Sequence, residues 1–160
     1  MKSFLNKHEV RGLRNNNPGN LVRTSLAWQG KIPFNQSKDQ KFEQFHSIEF
    51  GIRAMLKDII HDINNGKNTV YKLISEYAPT VENDTFAYIT NVATSIGVGP
   101  YQPLKNINQE FLKELARSIF KVELGKAHSE IKDNDIYTAI EMLGNVSTQN
   151  LIVNIKKKVS

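Results

Sequence analysis

The stretch Ser47-Ile48-Glu49-Phe50-Gly51-Ile52-Arg53-Ala54-Met55-Leu56-Lys57-Asp58-Ile59-Ile60-His61-Asp62-Ile63-Asn64-Asn65-Gly66 decides the fold class. Ile48, Ile52, Met55, Leu56, Ile59, Ile60 and Ile63 recur at steps of three and four, which is the apolar stripe of an α-helix. Ser47 stands where an N-cap belongs and Gly66 where a C-cap belongs. Downstream the pattern repeats. Further helices are expected over about Thr69 to Tyr77, stopped by Pro79, and over Asp84 to Ile96, ended by Gly97. Two more are expected over Asn108 to Leu124, ended by Gly125, and over Asn134 to Leu143 before Gly144. Leu151 to Val159 reads as a sixth helix or a strand.

Upstream of Ser47 the period disappears. Residues 11–46 read as irregular, with turn chemistry in Arg14-Asn15-Asn16-Asn17-Pro18-Gly19-Asn20. Leu21 to Trp28 and Lys41 to Phe45 are expected to form a small hairpin. The expected architecture is therefore mainly α, with a small irregular or β-containing lobe near the N-terminus. A chain of 160 residues suits a single domain spanning 1–160, and there are no internal repeats and no long linkers.

Composition narrows the function classes. There is no cysteine, so thiolate metal sites, disulfides and cysteine nucleophiles drop out. No apolar run reaches the roughly 20 residues of a membrane span. The four histidines show no His-x-x-x-His spacing, and no glycine-rich phosphate loop occurs. The net charge of +5 suits a polyanionic partner, but no nucleic-acid-binding motif accompanies it, so no nucleic acid is expected. The N-terminus lacks the apolar core of a secretory signal. Carboxylates and amide-rich loops remain as the candidate chemistry.

Two glutamates stand out. Glu82 precedes the helix that starts near Asp84, where a carboxylate suits the positive end of the helix or the role of a general acid. Glu123 ends a strongly apolar helix, at the end the dipole disfavours for an anion; apolar neighbours would raise its pKa toward that of a general acid. Asn16, Asn17 and Asn20 offer amides to sugar hydroxyls and N-acetyl groups, or form a turn held by Asx bonds. Trp28, the single tryptophan, could be a sugar platform or a core anchor.

Arg11-Gly12-Leu13-Arg14-Asn15-Asn16-Asn17-Pro18-Gly19-Asn20-Leu21, then Trp28-Gln29-Gly30, Gly51-Ile52-Arg53-Ala54, and Tyr77-Ala78-Pro79 with Glu82-Asn83, Thr85 and Tyr88, resemble a phage and prophage family. Its members are virion structural proteins and peptidoglycan lytic transglycosylase-like proteins. A more distant likeness links the chain to lysozymes, with Glu123 in the place of the helix-terminal acid in permuted order. The family usually reads His-Glu-Asn-Gly where this chain reads Val122-Glu123-Leu124-Gly125, whereas the pattern around Glu82 is intact. The resemblance implies a lysozyme-like domain that cleaves the β-1,4 bond between N-acetylmuramic acid and N-acetylglucosamine. Glu82 or Glu123 would be the acid, Tyr88 would orient it or touch substrate, and Asn16, Asn17, Asn20, Trp28, Asn83 and Thr85 would hold the glycan. Such a mechanism needs no metal or organic cofactor. The implied partners are peptidoglycan and virion or secretion-apparatus components, with synthesis in the cytoplasm and action on the wall after lysis or delivery. The alternative is a non-catalytic virion or wall-binding protein on the same fold.

Overall fold

The computed structural model describes residues 1–78 and 84–144, and the backbone of two short strands beyond them. Among these residues the chain is mainly α-helical. The helices are α1 (Arg11–Arg14), α2 (Ile48–Asn64), α3 (Val70–Tyr77), α4 (Thr85–Ile96), α5 (Gln109–Leu124) and α6 (Asp133–Leu143). A 3₁₀ turn, Gly125–Glu130, follows α5, and β1 (Val146–Ser147) pairs antiparallel with β2 (Ile152–Val153). The expected sixth helix or strand falls mostly outside the described residues; its described part is β2.

Four helices, α2 to α5, begin where a short polar side chain takes up an end amide. Ser47 Oγ accepts from Phe50 N, Thr69 Oγ1 from Lys72 N, Asp84 Oδ1 from Ala87 N, and Asn108 Oδ1 from Phe111 N. Such caps contribute about 1 kcal/mol each. At the other end of α4, Gly97 takes φ 75°, a conformation that costs a side-chain-bearing residue. The buried stripe of α2 runs Ile48, Ile52, Met55, Leu56, Ile59, Ile60 and Ile63, as the periodicity requires. It packs against α6, while α4 lies on α5 and α3. Leu112, Leu115, Ile119 and Phe120 of α5 and Ile136 and Ile140 of α6 fill the space between.

The N-terminal lobe differs from the expected hairpin. Its strands reduce to two isolated bridges, Val22 with Phe42 and Lys31 with Phe45, and a one-turn helix, α1, stands inside the stretch read as irregular. Backbone pairing is confined to short stretches: the Arg23 and Glu43 amides donate to the Lys41 and Leu21 carbonyls, and the Ile32 and His46 amides to the Gln44 and Gly30 carbonyls. Buried side-chain amides hold much of the rest of this lobe. Asn15, Asn16 and Asn17 are each fully buried. Asn15 donates to Asp39 and accepts from Gln44 Nε2, both at 2.9 Å. Asn16 donates to the Phe45 carbonyl and to Ser3 Oγ, and accepts from Phe4 N. Asn17 donates to the carbonyls of Leu21 and Glu43 and accepts from Leu21 N. The loop is pressed onto α2 at Gly51, where a Cβ would stand 1.7 Å from the Asn16 carbonyl oxygen. Only glycine permits that approach.

Candidate functional site

A groove of about 730 Å³ opens between the lobe and the helical body. Its floor and one wall come from Gly19, Asn20, Leu21, Val22, Lys41 and Phe42; the facing wall comes from α2, α3 and the end of α5. The two sides differ in charge. Residues 1–46 contain eight Lys and Arg against three Asp and Glu, which accounts for the whole net charge of +5, whereas residues 47–160 hold 13 of each. On the lobe side the Arg11 guanidinium lies 4.5 Å and the Lys41 ammonium 5.2 Å from the Phe42 ring centroid. On the body side stand Asp58, Asp62, Glu76 and Glu123.

Glu123 is the penultimate residue of α5, partly buried, and reaches the groove. Asn20 donates from Nδ2 to its Oε1 at 2.9 Å. This bond answers the unfavourable end of the helix dipole with a fixed donor. Asn20 can reach because it adopts φ 51°, a left-handed turn that asparagine tolerates better than most residues. Behind it, the Tyr77 hydroxyl donates to the Gly19 carbonyl and fastens α3 to the loop. Burial, followed by the charges of Glu123 and Asp58, pushes the Tyr77 pKa well above its ordinary value. The Tyr88 hydroxyl is buried; burial first, then Tyr77, then Glu123 by its charge and a side-chain hydrogen bond, raise its pKa.

Asp58 and Asp62 lie one turn apart on α2 and are both partly buried. Burial first, then the charge of Asp62 on Asp58, raises the Asp58 pKa; burial also raises that of Asp62, against the pull of Lys67. Glu76 is paired with Lys67 at 3.2 Å.

Of the residues singled out from the sequence, Glu123 and Asn20 meet in this groove. Tyr88 lies beneath it, not on its surface. Asn16 and Asn17 spend their amides on the chain itself and do not line it. Thr85 is buried and donates to the Ala78 carbonyl at 2.7 Å. Trp28 is half-buried in the lobe, away from the groove lining. Glu82 and Asn83 lie outside the described residues. The sequence reading missed Asp58, Asp62, Glu76, Tyr77, Lys41 and Phe42. The one signal available was a pair of like charges four residues apart on α2, a spacing that costs helix stability.

No family model matches the chain. It is similar to protein P5 of Pseudoalteromonas phage PM2, with 33% identity over 130 residues, covering 77% of this chain and 78% of that protein. A mainly helical domain with that degree of likeness, extending over most of both chains, belongs to the family of phage PM2 protein P5.

Proposed function

We propose that this phage-type protein binds peptidoglycan glycan strands in the groove and cleaves the β-1,4 bond between N-acetylmuramic acid and N-acetylglucosamine, with Glu123 as general acid. One observation carries the reading: a glutamate at a helix end, held by an asparagine amide, in a groove of about 730 Å³ between a helical body and a small lobe. A groove of that size accommodates a few sugar rings. The protonated Glu123 carboxyl gives its proton to the glycosidic oxygen as the C1–O bond breaks. The muramic 6-hydroxyl then attacks C1 and returns its proton to Glu123, leaving an anhydro sugar; attack by water instead leaves a reducing sugar. Asn20 orients the carboxyl, and Tyr88 packs below it.

A second reading is a virion or wall-binding component that occupies glycan without cutting it. The match to a phage protein favours this reading more directly, because it supports a phage role and says nothing of catalysis. A zymogram on purified peptidoglycan, comparing wild type with Glu123→Gln, separates the two. Clearing by the wild type that the variant lacks supports cleavage. A wild type that clears nothing from acid to neutral pH leaves the binding role. Delivery by lysis, by a virion or by a secretion apparatus belongs to the same proposal.

A further inference from the structure

We infer that Phe42 is the shelf on which a pyranose ring of the bound strand lies, its flat face against the C–H face of the sugar. This rests on the reading of the groove as a glycan site and names the residue that holds the sugar there.

The core does not account for the position of this ring. Phe42 is half-buried, yet it is not among the residues that form the core or pack against it. It lines the groove instead, beside the exposed Val22, to which its backbone is bridged. The other ring in the lining, Tyr77, packs against the core and gives its hydroxyl to the Gly19 carbonyl. The Phe42 ring is set in place from behind. The Arg11 guanidinium lies 4.5 Å from its centroid, and Arg11 is not part of the groove lining. Lys41, which is in the lining, borders the same ring with its ammonium 5.2 Å from the centroid. Asp39 fixes both the ring's backbone and its cover: it accepts from the guanidinium at 2.7 and 2.9 Å and from the Phe42 amide at 2.8 Å. A ring held this way before a ligand arrives loses little freedom on binding.

The chemistry of the ligand follows from the two kinds of surface in the groove. A pyranose carries hydroxyls around its rim and C–H bonds across its face. The rim asks for hydrogen-bond partners, which the carboxylates of the body side provide. The face asks for a flat apolar surface, which an aromatic ring gives. A peptide laid along this wall would ask instead for main-chain donors and acceptors. Those around Phe42 are taken: the Lys41 and Phe42 amides donate to Asp39, the Glu43 amide to the Leu21 carbonyl, and the Lys41 carbonyl accepts from Arg23. Phe34 provides a comparison within the same lobe. It is an exposed ring with the Arg23 guanidinium 3.8 Å from its centroid, and it stands outside the groove lining.

The test uses the full chain in the Glu123→Gln background, so that cleavage releases nothing, and co-sediments it with purified sacculi over a range of sacculus concentrations. Phe42→Ala should weaken retention roughly tenfold, which corresponds to about 1.4 kcal/mol of lost ring contact. Phe42→Tyr keeps the ring and should stay within about threefold of the parent, and Phe34→Ala should match the parent. Because Phe42 lies outside the core, far-UV circular dichroism and thermal melts should find each variant folded. A Phe42→Ala protein retained within about twofold of the parent overturns the inference. So does a Phe42→Tyr protein no better than the alanine variant, or an equal loss in Phe34→Ala. A parent that sediments with no sacculi overturns it together with the glycan reading. Retention that depends on Phe42 in a protein that clears no zymogram keeps this inference and loses the cleavage mechanism. Glu123-dependent clearing that Phe42→Ala leaves intact does the reverse.

Discussion

Asp39 is the most consequential single side chain in the lobe, and its removal has a calculable effect. Its Oδ2 accepts from Arg11 Nε at 2.7 Å and Asn15 Nδ2 at 2.9 Å. Its Oδ1 accepts from Arg11 Nη2 at 2.9 Å and from the backbone amides of Lys41 and Phe42 at 2.8 Å. In Asp39→Ala, the Arg11 side chain, 46% exposed, can turn to water. Asn15, with no exposure, cannot. Leaving one buried side-chain amide and two loop amides without acceptors costs about 1–3 kcal/mol each where water is excluded, so a total of about 3–5 kcal/mol is expected. That is a large share of the 5–15 kcal/mol typical of a domain. Urea titration reads it as a lower midpoint at unchanged slope. A pH series provides a second arm. The Arg11 guanidinium, then the Phe42, Asn15 and Lys41 donors, hold the Asp39 carboxyl well below the usual carboxylate range. Its contribution is therefore complete above the unfolded value, about 3.9, and is lost as the pH falls below it. Asp58 and Asp62 have raised values, so their contribution has the opposite sign: it is present at low pH and lost as the pH rises through their folded values. The wild type should thus lose stability below about pH 4, and Asp39→Asn should flatten that limb. A loss under about 1 kcal/mol in Asp39→Ala, or an acid limb that Asp39→Asn leaves unchanged, would refute the hub.

Other expectations are direct. Gly51→Ala places a Cβ 1.7 Å from the Asn16 carbonyl oxygen, and soluble expression and thermal melts should show failure to fold or a loss of more than about 3 kcal/mol. Asn17→Ala strands the Glu43 carbonyl and the Leu21 amide and takes one of two donors from the Leu21 carbonyl, which keeps the Glu43 amide, and chemical denaturation should register about 2–4 kcal/mol. Glu123→Gln keeps a side chain able to meet Asn20 but cannot act as an acid, so peptidoglycan clearing should fall at least about 100-fold while the melting temperature stays near wild type. Asn108→Ala removes the cap of α5 and should cost about 1 kcal/mol by the same titration.

The helical body was legible because burial imposes a period. Ile48 to Ile63 show one face to the core every three to four residues, and Ser47, Thr69, Asp84 and Asn108 announce helix starts through the side chain needed there. The lobe was not, because hydrogen bonding by amides has no period. An asparagine suits a turn, a sugar contact or a buried bracket, and only the three-dimensional neighbours of Asn15, Asn16 and Asn17 select the last. Glu123 stood out because it opposes its own helix dipole. Asp58 and Asp62 did not, because the stripe on α2 tells which face points inward and nothing about what stands opposite the other face.

Tyr77 and Asn20 each tie the helical body to the same loop, one through the Gly19 carbonyl and one through Glu123. With the jaws pinned at two points, the cleft stands at its working width before anything enters it. On the proposed reading, capture of a glycan strand then needs no clamping motion. In rapid mixing the observed rate should climb in proportion to strand concentration without reaching a plateau, the behaviour of a rigid receptor and not of a trap that shuts.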